Sequence, residues 1–383
     1  MKSLRIGVIG VGGMGSSHAN YLRDGEISRC ELTAVCDIDP KKLGPYKNLK
    51  TFTDSKKLIR SGEVDAVLVA TPHYFHTTIG IDALDNGLHL LTEKPISVHK
   101  ADCERLIEAH KRNPKKVFGA MFQLRTVPVF KKIKKLVEDG EIGRIERTNW
   151  IVTAWFRTEA YYSSGGWRAT WKGEGGGVLL NQCPHNLDLF QWIAGMPCRV
   201  RANCCFGKYH DIEVEDDVTA FFEYSNGATG MFVASTGEAP GTDRLEIVGD
   251  RGKLVYEDGA LSFSRNEVSA RKFSKSAKTG FDKPDIWKVE IPIPDAKHGH
   301  SVITQNFVDA ILDGTPLIAP ASEGVHSVEL ATSMIYSSLE GKTIDIPLDG
   351  KAYEKKLKQL IAKSTFKKKV GKQLDADISK SFR

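Results

Sequence analysis

The chain has 383 residues, 41% of them hydrophobic and 27% charged, the composition of an ordinary globular protein with room for two cores. No apolar run approaches about 18 residues, and Met1-Lys2-Ser3 leads straight into a strand-like run, so a cytoplasmic protein without membrane span or signal peptide is expected. Seven scattered cysteines with no Cys-x-x-Cys pair argue against structural zinc and a disulfide framework.

The first predicted strand, 4 to 9, runs into Gly10-Val11-Gly12-Gly13-Met14-Gly15. Glycines at this spacing make a strand-to-helix turn. Gly10 permits the bend, Gly12 admits a pyrophosphate to the backbone, and Gly15 lets helix 13 to 24 close on its strand. Gly13 and Met14 lie at the helix start, where unpaired N–H groups favour phosphate. The second predicted strand, 31 to 36, ends on Asp37, placed to accept both ribose hydroxyls. That carboxylate would repel a 2′-phosphate, and Ile38-Asp39-Pro40 supplies no arginine to bind one, which favours NAD over NADP. Alternatively, Asp37 caps the turn before Pro40.

Strands are further predicted at 50 to 52, 65 to 70, 88 to 92 and 117 to 122, with helices at 54 to 61, 74 to 86 and 98 to 112. This alternation predicts an α/β, doubly wound parallel sheet. Ligands collect at the carboxyl ends of such strands, which nominates Thr71 and Pro72, then Glu93-Lys94-Pro95. The Lys94 ammonium could stabilise a carbinol oxygen as hydride departs, or pass on its proton; it could equally be a surface lysine at a strand end. Pro95 fixes the adjoining backbone and permits a cis bond.

Beyond 125, a helix at 127 to 139 precedes β-like runs at 144 to 156, 199 to 206, 214 to 224, 228 to 236, 243 to 248, 252 to 256 and 260 to 264. They predict a C-terminal α+β domain with a large, mainly antiparallel open sheet, one face needing cover from helices or a partner subunit. The stretch 264 to 283 reads as an exposed loop, and helices resume at 301 to 313 and 322 to 340. Residues 351 to 383 carry 11 Lys and Arg against 3 Asp and Glu. They read as a solvated, partly helical basic extension, without the aromatic interleaving of a nucleic-acid module. The expected domains are 1–124, 125–350 and this extension, with C-terminal helices able to pack back on the first.

Gly175-Gly176-Gly177 has no following Lys-Ser or Lys-Thr, so the run is read as allowing close approach to something bulky rather than as a phosphate loop. Pro184 suits a first helical position, which puts His185 in the first turn and Asp188 one turn on, placed to orient the imidazole. His185 is suited to remove a hydroxyl proton near neutral pH, although a histidine in an apolar helix can also be structural. Tyr161, Trp167 and Arg168 are candidates for stacking on a sugar ring or binding its hydroxyls, and Gln123 and Arg125 are pocket candidates at the domain junction. His76 reads as support for the cofactor loop. His73-x-x-His76 and His298-x-His300 lack nearby carboxylates or cysteines, so no metal site is expected.

Gly10-x-Gly12-x-x-Gly15, Asp37, Ala70-Thr71-Pro72 with His76, Glu93-Lys94-Pro95, and the triple glycine with His185-x-x-Asp188 resemble, in this order, the Gfo/Idh/MocA family of glucose-fructose oxidoreductases and inositol dehydrogenases. The resemblance covers most of residues 4 to 348. It implies an N-terminal Rossmann domain, a C-terminal domain whose open sheet serves a homo-oligomer (dimer or tetramer), and NAD(P)-linked chemistry on a sugar or cyclitol hydroxyl. By position, Lys94 and His185 become the catalytic pair. Many relatives carry aspartate where this chain has Asn181. An amide cannot take a proton, so Asn181 is expected to orient a substrate hydroxyl or the nicotinamide amide. Two other readings stand beside the dehydrogenase: an NAD-dependent glycosidase acting by transient ring-carbon oxidation and elimination, and a nucleotide-binding sensor without turnover.

Overall fold

The computed structural model describes residues 3–371. Strands β1 (Leu4–Ile9), β2 (Cys30–Cys36), β3 (Lys50–Phe52), β4 (Ala66–Val69), β5 (His89–Thr92) and β6 (Phe118–Ala120) form one parallel sheet in the order β3-β2-β1-β4-β5-β6. Strand order reverses between β1 and β4, so a ligand crevice lies at their carboxyl ends. The connections carry helices α1 (Gly13–Arg23), α2 (Ser55–Ile59), α3 (Tyr74–Asp85) and α4 (Lys100–Arg112). All four residues of β4 are buried, as helices on both faces require. Asp54 caps α2 by accepting from Lys56 N.

After α5 (Pro128–Glu138) comes a second sheet of β7 (Ile145–Val152), β8 (Arg199–Phe206), β9 (Glu215–Glu223), β10 (Thr229–Ser235), β11 (Asp243–Gly249), β12 (Gly252–Glu257), β13 (Ala260–Asn266), β14 (Ile286–Val289) and β15 (Ile344–Asp345). Their order is β14-β13-β12-β11-β7-β10-β9-β8-β15. The sheet is mainly antiparallel, but its central pair β7 and β10 runs parallel. Helices α6 (Glu159–Ser163), α7 (Val178–Asn181) and α8 (Pro184–Ala194) follow β7; α9 (Ala270–Ser276), α10 (His300–Asp313), α11 (Gly324–Glu340) and α12 (Gly350–Lys363) come later. On the inner face Phe190 of α8 meets Phe222 and Phe232 at ring-centroid distances of 5.4 and 6.0 Å. Strand alternation turns Phe221 to the opposite face, where it is 47% exposed.

Ile303, Phe307 and Val308 of α10 join the core of the first sheet. Helix α11 divides itself, giving Val328 to that core and Leu330, Ala331, Met334 and Ile335 to the second.

The structure corrects three readings. The stretch 264 to 283 is not loop throughout: β13 extends to Asn266, and α9 follows, its first turn capped by Ser269 accepting from Lys272 N. The segment 144 to 156 is strand to Val152 and then leaves the sheet. The basic extension begins as α12, whose Tyr353 and Leu357 are buried in the second core, so 351 marks no solvated tail. Residues 372–383 of that extension lie outside the described residues.

Candidate active site

β1 passes into α1 through Gly10, at φ +88°, where a Cβ would stand 2.8 Å from the Ala70 carbonyl oxygen. A Cβ on Gly15 would fall 1.7 Å from the Gly10 oxygen, so helix and strand close up only without side chains. A Cβ on Gly12 would meet nothing within 4 Å, which leaves the backbone open to a phosphate at the α1 N-terminus. Asp37 sits against this turn, accepting from Val11 N at 3.0 Å and from Asp39 N at 2.9 Å. A carboxylate has further lone pairs for ribose hydroxyls. Lys42, which the sequence reading passed over, places its ammonium 3.7 Å from Asp37. The Thr71 hydroxyl is buried with no hydrogen-bond partner among the described residues. His76 lies between the Pro95 and Thr71 carbonyls, 2.8 and 2.7 Å from its two ring nitrogens, and so ties two strand-end loops together. Together the turn, the α1 N–H groups Gly13 to Gly15, Asp37 and Thr71-Pro72 fit a dinucleotide.

The Lys94-Pro95 bond is cis. Lys94 Nζ donates to the Asn181 carbonyl at 2.9 Å, anchoring it on the last turn of α7. Burial lowers its pKa, Glu93 and Glu174 raise it, and Arg168 lowers it again. Glu93 accepts from Lys94 N at 3.1 Å and lies 2.6 Å from the His18 ring, whose other nitrogen is 2.7 Å from the Tyr21 hydroxyl. Burial pushes the Glu93 carboxyl up, but the His18 bond and the charges of His18, His300 and Lys94 hold it well below the usual range. A buried anion therefore stands directly behind the lysine.

His185 is in the first turn of α8, which begins at Pro184. Gln123 Nε2 lies 3.1 Å from its Nε2, so that nitrogen carries the lone pair, while Nδ1 has no partner among the described residues. Burial and then the Lys94 charge push its pKa well below the ordinary value, which keeps the ring neutral. Its helix follows α7, whose start is held by Glu215 accepting from Gly177 N at 2.8 Å and Leu179 N at 3.1 Å. Burial pushes Glu215 up to about 7. A Cβ on Gly177 would stand 1.9 Å from the Glu215 carbonyl oxygen, so this glycine admits the β9 backbone, which is what approaches closely at that point.

Two further expectations fall. Arg125 donates from Nε and Nη2 to Asp188 at 2.7 and 2.6 Å and from Nη1 to Glu323 at 2.5 Å. Arg125 and Asp188 are each 1% exposed. The two-pronged, charge-assisted pair outcompetes the imidazole, so Asp188 does not orient His185, and neither residue presents a face to substrate. Tyr161, Trp167 and Arg168 do meet: the Arg168 guanidinium lies 4.7 Å from each ring centroid and donates to the Tyr161 hydroxyl at 2.9 Å. Arg157, unnoticed in the sequence, adds a second guanidinium 5.2 Å from Tyr161 and 5.4 Å from Trp155. Glu174 and Gln182 were also missed, although each adjoins a residue already singled out, Gly175 and Asn181. Among the described residues, no group of three or more His, Cys, Asp or Glu side chains is arranged to hold a metal, and no helix is long and apolar enough to cross a membrane.

A doubly wound domain that presents a phosphate turn and a ribose-side carboxylate to a lysine and a histidine is built as a dinucleotide-linked oxidoreductase. Residues 4–121 match the oxidoreductase family with an NAD-binding Rossmann fold, and residues 130–255 match the GFO/IDH/MocA C-terminal domain. The chain belongs to the Gfo/Idh/MocA family, and its first domain is an NAD-binding Rossmann domain. It is 28% identical over 364 residues to inositol 2-dehydrogenase of Corynebacterium glutamicum, covering 90% of this chain and 96% of the relative. Levoglucosan dehydrogenase of Pseudarthrobacter phenanthrenivorans is 22% identical, with 91% and 99% covered. Among solved structures, the WlbA dehydrogenase of Chromobacterium violaceum, in complex with NADH and UDP-GlcNAcA, superposes with a TM-score of 0.79 at 26% identity, covering 91% of this chain and 97% of that one.

Proposed function

We propose that this protein is an NAD-dependent dehydrogenase that moves hydride between nicotinamide and a secondary hydroxyl of a sugar, sugar derivative or cyclitol. The observation that carries the reading is the placement of Lys94, just past β5 and bonded to the Asn181 carbonyl at the end of α7, four residues before His185, whose ring lies 3.1 Å from Gln123 just past β6. The activities named for the two relatives support the substrate class. NAD, held by the glycine turn, Asp37 and the Thr71, Pro72, Glu93 and Lys94 edge, supplies the hydride acceptor when bound. His185, kept neutral by burial, takes the hydroxyl proton at Nε2 once the substrate hydroxyl replaces the Gln123 amide there. The Lys94 ammonium faces the oxygen as negative charge grows there, in a site where few waters compete.

Incubation with free sugars, inositols and aryl glycosides, followed at 340 nm, tests the proposal. Net NADH is the expected result. Aglycone release without net NADH would mark the glycosidase, and binding with neither would mark a sensor.

The pH profile follows from the two shifts. A histidine pKa below 6.5 keeps the base form available into acid, so the acid limb of kcat/KM is expected below 6.5. A lysine pKa below 10.5 loses the ammonium earlier, so the alkaline limb is expected below 10.5. Limbs at the ordinary values would detach both residues from the chemistry. For the cofactor, Asp37→Ala is expected to narrow the preference for NADH over NADPH by about tenfold or more, because charge-assisted ribose bonds are lost. An unchanged ratio of dissociation constants would count against the ribose contact.

The exposed outer face of the second sheet supports a homo-oligomer, and Phe221→Lys is expected to move the sedimenting mass toward the monomer. An unaltered mass would exclude that face. A cytoplasmic location belongs to the proposal, since all seven cysteines are free thiols.

A further inference from the structure

The hydrogen bonds around Asn181 run in one direction. Arg168 Nη1 and Gln182 Nε2 donate to the Tyr161 hydroxyl at 2.9 and 3.0 Å, filling both lone pairs of its oxygen. Its single proton then goes to Asn181 Oδ1, 3.2 Å away. This leaves Asn181 its amide N–H2, which donates to Glu174 Oε1. The other carboxylate oxygen of Glu174 accepts from Ala169 N at 2.6 Å. Every link has a donor facing an acceptor because the last member accepts on both oxygens and donates from neither. An ionised carboxylate does this; an amide does not.

Glu174 is 1% exposed and lies within the same electrostatic environment as Lys94, whose ammonium it favours. The charged and titratable groups around it are Lys94, Arg168, Lys368, Tyr162, Glu215 and the His73 ring, 3.4 Å from the Glu174 carbonyl. Burial pushes its carboxyl up, and Arg168, the Ala169 N–H, the Asn181 amide and Lys368 pull it only part of the way back.

We propose that Glu174 is a positioning residue for the catalytic centre, fixing the Asn181 and Tyr161 side chains and counterbalancing the Lys94 ammonium without touching substrate. The inference rests on the dehydrogenase reading, and an isosteric exchange tests it separately. In Glu174→Gln the new amide accepts on one side only, so its N–H2 faces either the Asn181 amide or Ala169 N, donor against donor. A fall in kcat of about 10-fold to 100-fold is expected, with NADH affinity retained and the alkaline limb moved to lower pH because Lys94 has lost a neighbouring anion. In Asn181→Asp two carboxylates touch and must share a proton, visible as a protonated-carboxyl stretch in difference infrared spectra. In the double variant E174Q/N181D the introduced amide oxygen accepts from Ala169 N, its N–H2 donates to the introduced carboxylate, and one anion remains. The infrared band is expected to vanish, and kcat to rise above that of both single variants.

Native kcat and pH profile in E174Q, a double variant no faster than its slower single parent, or a band that persists in the double variant would each overturn the assignment. If the parent chain turns over no sugar or cyclitol, the dehydrogenase reading fails, while the infrared arms still decide the Glu174–Asn181 pair.

Discussion

Lys94→Ala is expected to lower kcat for sugar or cyclitol oxidation by about 10² or more, with a much smaller loss of NADH affinity. The lysine donates to α7 rather than to the glycine turn, so its loss leaves the phosphate and ribose contacts in place. What disappears is a partly desolvated positive charge aimed where an alkoxide forms, and such groups are worth about 10² to 10³ in rate. His185→Ala is expected to cost a similar factor, since a positioned general base contributes about 10² to 10⁴ in rate. The two residues act on one proton and one oxygen, so the double variant should be little slower than the slower single one. Stopped-flow NADH formation separates these effects from release steps. Near-native turnover in either single variant would remove that residue from the mechanism.

The largest stability effect is expected at the salt bridge that displaced the anticipated role of Asp188. Arg125→Met leaves the Asp188 carboxylate buried with Gln191 alone, at 3.3 Å, and should destabilise the protein by about 3 to 5 kcal/mol in urea denaturation. Burial already raises Asp188 in the intact pair. Without the guanidinium it rises further above its unfolded value, so the variant's deficit against the parent grows as pH rises from the pKa of Asp188 in the intact pair to its higher pKa in the variant. Asp188→Leu in the same chain should recover much of the loss, since an apolar pair leaves no uncompensated charge. A deficit below about 1 kcal/mol in Arg125→Met would mean that the pair contributes orientation rather than stability.

What the sequence revealed and what it hid differ in range. The glycine turn and the start of α8 at Pro184 were legible because each depends on neighbours a few residues away: Gly10 against the next turn, Pro184 on its own missing N–H. Lys94 and His185 could be nominated because each sits in a short motif at a strand or helix end. Asp188 was misassigned for the same reason, since one-turn spacing made it His185's neighbour while its partner Arg125 stands 63 positions away. Glu174 was invisible as a site residue because its meaning lies in the order of a hydrogen-bond chain that only the fold assembles. The α9 helix hid behind the lysines and serines of its segment, although Ser269, its cap, was a readable local signal.

Helix α11 spends its first turns in one core and its remainder in the other, and α10 fills a groove of the dinucleotide domain from far downstream in the chain. A chain cut after residue 124 would bare the apolar bed that Ile303, Phe307 and Val308 occupy, so the NAD-binding half is not a detachable module. Heating should therefore melt both halves together in a single calorimetric event, and engineering that swaps one half between relatives must carry these two helices along with it.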